Sequence, residues 1–268
     1  MDSLSQHSKL FSVFYHDIFD FPLTKKEISK WRMRNIENFK NKKKKVIFKN
    51  GFYFLEGREG IIEKRQTNKM HSQQKIKIAK SAAELLKKIP TIQMVALTGS
   101  LAMDNAKQPS DIDLMIITRR GSLWTTRLIT YLLLAINNYK LRRAGDKNEK
   151  DMLCLNMWLD EEDLLIQKRN HFNAHEIVQI LPLVSKERTY ERFIWKNRWV
   201  LDYWPNAIQP KKIGNNLKTN KLIFEPLAYL VQYLYMRGKI TKETISPTRA
   251  FFHPFDWSFL VSSKIKPT

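Results

Sequence analysis

The sequence predicts an α/β protein with a small helical unit at its amino end and a helical region at its carboxyl end. Three observations carry this prediction. Residues 91–206 alternate short apolar strands with helical patterns. Asn50-Gly51 separates two apolar arms, which is the signal of a tight β-hairpin. Apolar residues make up 43% of the 268 residues and charged residues 27%, a balance that favours a packed core over disorder.

The chain is strongly basic, with 47 Lys and Arg against 26 Asp and Glu and a formal net charge of +21. This charge favours an anionic partner such as nucleic acid, a nucleotide or a membrane surface. A lysine-rich composition without any such partner explains the charge equally well. Residues 1–90 carry 21 basic and 9 acidic side chains, 21 − 9 = +12, and so hold more than half of the excess.

Two features of the sequence exclude whole classes of protein. Cys154 is the single cysteine, which excludes an internal disulfide framework and a zinc site built from cysteines. The longest apolar stretch, Leu128 to Ile136, is too short to span a bilayer, and the amino-terminal residues lack the layout of a signal peptide. We therefore expect a cytoplasmic protein that does not contact a membrane.

Residues 1–66 are predicted to form a winged-helix-like domain. Apolar side chains from Leu10 to Phe19 recur at helical spacing. Thr24 and Glu27 have the spacing of a capping box and predict the start of a second helix. The Asn50-Gly51 hairpin supplies the wing, whereas the basic stretch before it has little amphipathic periodicity to support a third helix.

The basic side chains of this unit are candidates for contacts with DNA phosphates, and a solvated basic loop explains them equally well. They are Arg32, Arg34, Lys42, Lys43, Lys44, Lys45 and Lys49.

The rest of the chain divides into three segments. Residues 67–90 are predicted to form one connecting helix, which Pro90 ends. Residues 91–206 form the central domain, with strands predicted at 94–97, 111–118 and 152–159 and helices at 123–141 and 174–181. Residues 207–268 form a carboxy-terminal region, predicted to be a linker to 221, a helix to about Met236 and irregular beyond it.

The residues that carry chemistry lie around Gly99-Ser100 and Asp111-Ile112-Asp113. A strand ending in Gly99-Ser100 and a helix start presents backbone N–H groups that can hold phosphate, and Ser100 can add a hydroxyl. Asp111 and Asp113 are two residues apart on a strand and therefore point to the same face. Paired carboxylates are the hard oxygen ligands that Mg²⁺ prefers, and Mg²⁺ completes its shell with substrate phosphates.

Gly99 to Ala102 followed by Ser110 to Leu114 resembles the motif of the DNA polymerase beta-like nucleotidyltransferase superfamily, in the variant of minimal bacterial and archaeal nucleotidyltransferases and of aminoglycoside nucleotidyltransferases. The resemblance covers residues 92–160. It implies a mixed sheet with helices on one side, a nucleoside triphosphate substrate (ATP by default) and two Mg²⁺ ions. It also implies that Gly99 and Ser100 hold the triphosphate, that Asp111 and Asp113 bind the metals, and that Ser110 is a further nucleotide-binding candidate.

The superfamily has a third carboxylate on a later strand, and this sequence departs from that pattern. The third predicted strand has Asn156 at its centre, and an amide can ligate a metal but cannot accept a proton. Asp151 and Asp160 lie at the two strand ends, and regular alternation places Asp160 on one face with Asn156 and Trp158. We take Asp151 as the third catalytic carboxylate, because the chain entering a strand can bend inward.

Several nearby side chains have two interpretations. Arg127 fits a phosphate contact or, more commonly, a solvated helix face, and Trp124 fits a stacked base or, more commonly, the core. His171 and His175 have the spacing of a metal pair but lack a third ligand, so a structural role is favoured. Glu176 is an alternative residue for the acceptor side.

The sequence thus predicts an enzyme that moves a nucleoside monophosphate from a triphosphate to a hydroxyl acceptor and releases pyrophosphate. The alternative is a catalytically degenerate nucleotide- or DNA-binding regulator of the antitoxin kind, which Asn156 favours. A carboxylate oxygen of Asp151 or Asp160 within about 5 Å of Asp113 would support the enzyme. Small molecules, proteins and RNA all remain open as acceptors.

Overall fold

The computed structural model describes residues 3–33, 44–143, 145–214, 222–240, 243–252 and 257–265. Its helices are α1 Ser3–Asp17, α2 Lys25–Lys30, α3 Ile61–Leu86, α4 Gly99–Ala102, α5 Leu123–Ile136, α6 His171–Gln179, α7 Thr189–Lys196, α8 Glu225–Met236 and α9 Trp257–Ile265. Its strands are β1 Leu23–Thr24, β2 Val46–Lys49, β3 Phe52–Leu55, β4 Ile92–Leu97, β5 Ile112–Thr118, β6 Leu153–Asp160, β7 Leu181–Ser185, β8 Thr244–Ser246 and β9 Arg249–Phe251.

The amino-terminal unit contains α1, α2 and a three-stranded antiparallel sheet in the order β1-β3-β2. Asn50 and Gly51 have φ angles of 52° and 82°, which are those of a type I′ turn, so the predicted hairpin is confirmed. The predicted capping box of Thr24 and Glu27 is also present. The predicted third helix falls mainly on residues 34–43, outside the described part of the chain, and the winged-helix domain stays a prediction.

Helix α3 is longer than the predicted connecting helix. It begins at Ile61 rather than at residue 67 and ends at Leu86. The helix therefore continues without a break across the predicted border between residues 66 and 67. Its buried stripe includes Ala79, Ala83 and Leu86, as expected of an amphipathic helix.

The larger sheet has six strands in the order β7-β4-β5-β6-β9-β8. β5 and β6 are parallel, and the other neighbours are antiparallel. The sheet is therefore mixed, as predicted.

Three strands of this sheet were not predicted. β7 contains Pro182, and a proline at this place predicts the end of the preceding helix rather than a strand. Proline is tolerated here because β7 lies at the edge of the sheet. β8 and β9 come from the carboxy-terminal region that was predicted to be irregular, and β9 pairs with β6. Strands this short have too few residues to show alternation, so only their pairing identifies them.

Helices cover both faces of the larger sheet, which corrects the expectation of helices on one side. On β4, Met94 and Ala96 belong to a core shared with α1, α6, α7 and α9. Val95 and Leu97 belong to a second core shared with α3, α5 and α8. A strand that is apolar at every position needs cover on both faces, and β4 is buried along its whole length.

The sheet brings three chain segments to one edge. Because β4 and β5 are antiparallel, the end of β4 lies beside the start of β5, and Thr98 donates its backbone N–H to the carbonyl of Asp113. β6 runs parallel to β5, with Cys154 opposite Asp113. Side chains from all three segments therefore meet at this edge.

Candidate active site

Gly99 begins the turn after β4 and packs directly on Asp113. Its φ of +60° lies in the left-handed region that favours glycine. A Cβ at this position would lie 2.8 Å from Oδ2 of Asp113, so no larger residue fits without displacing the carboxylate. Ser100, the next residue of the same turn, is exposed.

Asp111 and Asp113 lie together at the start of β5, as their spacing predicts. One carboxylate oxygen of each and the Sγ of Cys154 are all within 4.8 Å of one another. The pKa of Asp113 is raised to about 7, first by burial and then by the charge of Asp111. Two carboxylates this close repel each other, and a cation between them would relieve that repulsion.

Residues 76–203 match the family model of the nucleotidyltransferase domain, and this match includes Gly99, both aspartates and β4 to β7. The chain carries a nucleotidyltransferase domain. The resemblance expected from the Gly-Ser and Asp-x-Asp motifs is thereby confirmed for this part of the chain. No curated protein and no solved structure matches the sequence. Among the described residues no helix is both long and apolar enough to cross a bilayer.

Asn156 lies at the centre of β6, where the family resemblance predicts a third carboxylate. Its side-chain NH₂ donates to Oδ1 of Asp113 at 2.5 Å. Its own Oδ1 is buried and has no hydrogen-bond partner among the described residues. Since buried acceptors are nearly always paired, this oxygen is available to a ligand at the site.

A β-bulge on β6 changes which residues share a face with Asn156. Asp113 pairs with Cys154, whereas Met115 pairs with Met157, so β6 has one extra residue between these pairs. Trp158 consequently packs in the core on the opposite face, with α5. The prediction that Asn156 and Trp158 share a face is wrong, because it assumed regular alternation.

Arg142, in the loop between α5 and β6, supplies positive charge to the site. Its guanidinium pairs with Asp111 at 2.7 Å and also with Glu149, and it lies 3.7 Å from the Sγ of Cys154. The pKa of Cys154 is raised well above its usual range by burial and by the two aspartates, so the thiol stays protonated. Cys154 is therefore a neutral neighbour of the carboxylates.

Asp151 has a different partner from the one predicted. Its carboxylate accepts a hydrogen bond at 2.7 Å from Nζ of Lys75, which is 1% exposed. Lys75 also donates to the backbone carbonyls of Ser110 and Gln108. Among the described residues Asp151 does not join the cluster of Asp111, Asp113 and Cys154.

The hydroxyl of Ser110 donates a hydrogen bond to the carbonyl of Lys107, so in this conformation it stabilises the turn that precedes β5.

Asp160 lies at the other end of β6. It is opposite Thr118, five residues along β5 from Asp113, which is about 16 Å at the rise of a strand. Its carboxylate accepts the backbone N–H groups of Gly121 and Glu162. Neither end of β6 therefore brings a carboxylate to the paired aspartates.

Glu176, on α6, is a buried carboxylate that the fold brings close to the Gly99 turn. It accepts a hydrogen bond from Gln179 at 2.6 Å, and Gln179 also donates to the carbonyl of Gly99 at 3.3 Å. Its pKa is raised to about 8, first by burial and then by the charge of Asp113. The helix was predicted, but only its packing against the Gly99 turn reveals the proximity.

The other candidates have structural roles. Trp124 is fully buried in the core, as favoured. Arg127 packs on aromatic rings, including that of Tyr131, and donates to Gln232 rather than lying on a solvated face. His175 is buried among aromatic rings, and the nitrogen that faces it belongs to His16, not His171, which agrees with the predicted structural role.

Proposed function

We propose that this protein transfers a nucleoside monophosphate from a nucleoside triphosphate, ATP by default, to a hydroxyl acceptor and releases pyrophosphate. The observation that carries the proposal is the close packing of the Gly99 turn on Asp113, with Asp111 within metal-sharing distance. This arrangement supports the proposal, because a turn whose backbone N–H groups can hold phosphate lies directly beside a pair of carboxylates. Because the triphosphate is made and used in the cytoplasm, we also propose that the protein works there.

The donor set fits Mg²⁺. Asp111 and Asp113 are hard oxygen donors, and the buried unpaired Oδ1 of Asn156 is a neutral oxygen beside them. The protonated thiol of Cys154 is a poor ligand for Mg²⁺. Two Mg²⁺ ions, when bound, would offset charge on the phosphates and on the attacking and leaving oxygens. In the structure the guanidinium of Arg142 forms an ion pair with Asp111 and so offsets part of the negative charge at the site.

The chain's own residues divide the remaining work. The backbone of the Gly99 turn and the exposed hydroxyl of Ser100 bind and orient the phosphates. Glu176 is our candidate for the base on the acceptor side: it takes the proton of the acceptor hydroxyl as that oxygen bonds to the α-phosphorus and the bond to pyrophosphate breaks. Its position supports this assignment, because Gln179 bridges its carboxylate to the carbonyl of Gly99.

The test is the double variant Asp111→Asn with Asp113→Asn, assayed for pyrophosphate release with each triphosphate, Mg²⁺ and cell extract. We expect a loss of about 100-fold or more, because the charges that hold the metal are gone. Asp104→Asn is the matched control: Asp104 is exposed, lies just beyond the same turn, and has a positive φ that Asn also tolerates. Unchanged turnover in a folded double variant would contradict the proposal.

A second candidate is a degenerate domain that binds nucleotide or DNA without transfer. Asn156 in place of a carboxylate favours it, and so does the engagement of Asp151 by Lys75. The basic amino-terminal unit also has a cavity of about 200 Å³ whose lining includes Lys9, Lys25 and Arg32. These cationic side chains are of the kind that contact the phosphates of DNA. Measurable nucleotide binding with no labelled product from any triphosphate would favour this candidate.

A further inference from the structure

The outward faces of α5 and α8 form an apolar surface that no described part of the chain covers. The two helices lie side by side, since Arg127 of α5 donates to Gln232 of α8 and Trp124 packs on the ring of Tyr229. Their inward faces fill the core beneath. The opposite faces of both helices are apolar, which is unusual for helices exposed to water.

The exposed side chains are large and numerous. On α5 they are Leu128, Ile129, Leu132 and Ile136, between 44% and 67% exposed. On α8 they are Leu227, Leu230, Val231 and Leu234, between 47% and 59% exposed. Phe224 continues the surface and is 71% exposed.

The exposed area matches what a stable protein interface buries. An aromatic side chain presents roughly 150–250 Å² and an aliphatic one somewhat less, so these residues, each about half exposed or more, together present roughly 700–1,000 Å². The largest apolar patch of a monomeric protein is usually about 300–600 Å². A standard interface buries about 800 Å² from each partner. The surface is therefore too large for a free face and large enough for a dimer.

The surface is also free of charge. Each helix contains one charged residue, and both of these are used internally: Arg127 binds Gln232, and Glu225 accepts the backbone N–H groups of Trp124 and Thr125. In a chain of net charge +21, two copies repel each other through most of their surfaces. Two copies can associate through the uncharged α5–α8 surface without bringing like charges together.

Other occupants fit less well. The adjoining segment 215–221 has one apolar side chain, Leu217, and cannot bury such an area. Helices that lie in a membrane surface carry Lys and Arg on the face opposite the apolar one, and α5 and α8 contain no Lys. We propose that the α5–α8 surface is the interface of a symmetric homodimer, in which the two helices of one protomer pack on the same two helices of its partner.

Sedimentation velocity of the full chain over a range of micromolar concentrations tests this proposal. We expect the wild type to sediment as a dimer. Leu132→Asp and Leu230→Asp, singly and together, should weaken dimerisation at least about 10-fold, because each places a charge on both sides of a symmetric apolar interface. Met70→Asp is the matched control: Met70 is as exposed as Leu132 (61% and 62%) and also helical, but lies on α3. It should leave the dimer unchanged.

Far-UV circular dichroism accompanies each variant, and Leu132→Ser with Leu230→Ser replaces any aspartate variant that fails to fold. A wild type that remains monomeric at every concentration would overturn the proposal. A dimer that survives all of these substitutions in folded protein would also overturn it. A monomer that co-sediments with phosphatidylcholine vesicles, and loses this binding in Leu132→Asp, would assign the surface to lipid instead.

Discussion

At the scale of single residues, Gly99 governs the geometry of the candidate site around Asp113. Its positive φ turns the chain sharply after β4, and the absence of a side chain lets the carboxylate of Asp113 approach the turn. These two requirements are separate: one concerns backbone strain and the other concerns space. A comparison with a second glycine separates them experimentally.

We expect Gly99→Ala to weaken Mn²⁺ binding at least about 10-fold, or 1.4 kcal/mol, because the new Cβ displaces Asp113. Isothermal titration with Mn²⁺ measures this effect. Gly57→Ala is the control, since Gly57 has a φ of +79° and open space around its Cβ position. Both variants should lose about 1 kcal/mol of unfolding free energy from strain. Equal Mn²⁺ affinities in the two variants would show that the close approach does not matter.

Lys75 and Asp151 form a second residue-level feature, a buried clamp on the segment that leads into Asp111. Lys75 is fully buried and ties Asp151 to the carbonyls of Ser110 and Gln108. A buried ammonium is stable only with such partners. The clamp therefore holds the loop in place, and Asp151 acts as its counter-ion.

We expect Asp151→Asn to lower the unfolding free energy by about 1–3 kcal/mol, because Lys75 keeps a buried charge with one partner fewer. Urea unfolding measures the loss, and Lys75→Met with Asp151→Asn should cost less than the sum of the single variants. Mn²⁺ affinity should stay close to that of the wild type. Loss of Mn²⁺ binding in folded Asp151→Asn, as in Asp113→Asn, would instead support the predicted role of Asp151 as a third ligand.

At the scale of elements, α1 and α6 meet through two buried histidines. The Nε2 atoms of His16 and His175 lie 3.2 Å apart, and the ring of Trp31 stacks on His175 at 4.2 Å. Burial lowers the pKa of His16 to about 4 and that of His175 well below its usual range. Both rings are therefore neutral in the folded protein, whereas in the unfolded chain they titrate near pH 6.5.

Between about pH 6.5 and pH 4, His16 and His175 bind protons in the unfolded chain but stay neutral in the folded protein. We therefore expect the two histidines together to cost about 3–4 kcal/mol of stability as pH falls from 7 to 5, and His16→Gln to remove about half of that loss. Urea unfolding of both proteins at each pH measures the difference. The comparison between the wild type and His16→Gln is needed because burial raises the pKa values of Asp113, Asp160 and Glu176. These carboxyl groups stabilise the folded protein as pH falls, which is opposite to the effect of the histidines. Parallel pH curves would contradict the prediction.

At the scale of the whole molecule, the amino-terminal unit shares a core with the nucleotidyltransferase domain. Phe11 and Tyr15 of α1 pack on Trp204, and the same cluster includes Met94 and Met115 of the sheet. Asn105, beyond the Gly99 turn, donates to the carbonyl of Phe19. The basic unit is thus packed directly on the nucleotidyltransferase domain.

Because this core is shared, we expect the chain to unfold in urea in a single transition, with coincident curves from tryptophan fluorescence and far-UV circular dichroism. Trp31 and Trp204 report on the shared core, and Trp124 and Trp158 on the core of the opposite face. An early transition that removes only part of the helical signal would show that the amino-terminal unit folds separately.

The local features of this protein follow from short stretches of its sequence. Thr24 and Glu27 define a capping box, Asn50-Gly51 defines a hairpin, and Gly99 with the Asp-x-Asp pair indicates the family, because each of these signals depends on residues close together in the chain. Their geometry follows from local sterics and from strand alternation, and no distant contact is needed to predict it.

Packing between distant parts of the chain establishes which residues surround the candidate site and which helices cover the sheet. A β-bulge in β6 places Trp158 on the face opposite to the predicted one. The carboxylate of Asp151 pairs with buried Lys75 instead of joining the paired aspartates. Packing of α6 brought Glu176 to the Gly99 turn. These outcomes depend on which charges and apolar faces meet across long stretches of chain. Burial makes an unpaired charge costly, so the partner available in space, rather than the neighbour in sequence, decides the role of each residue.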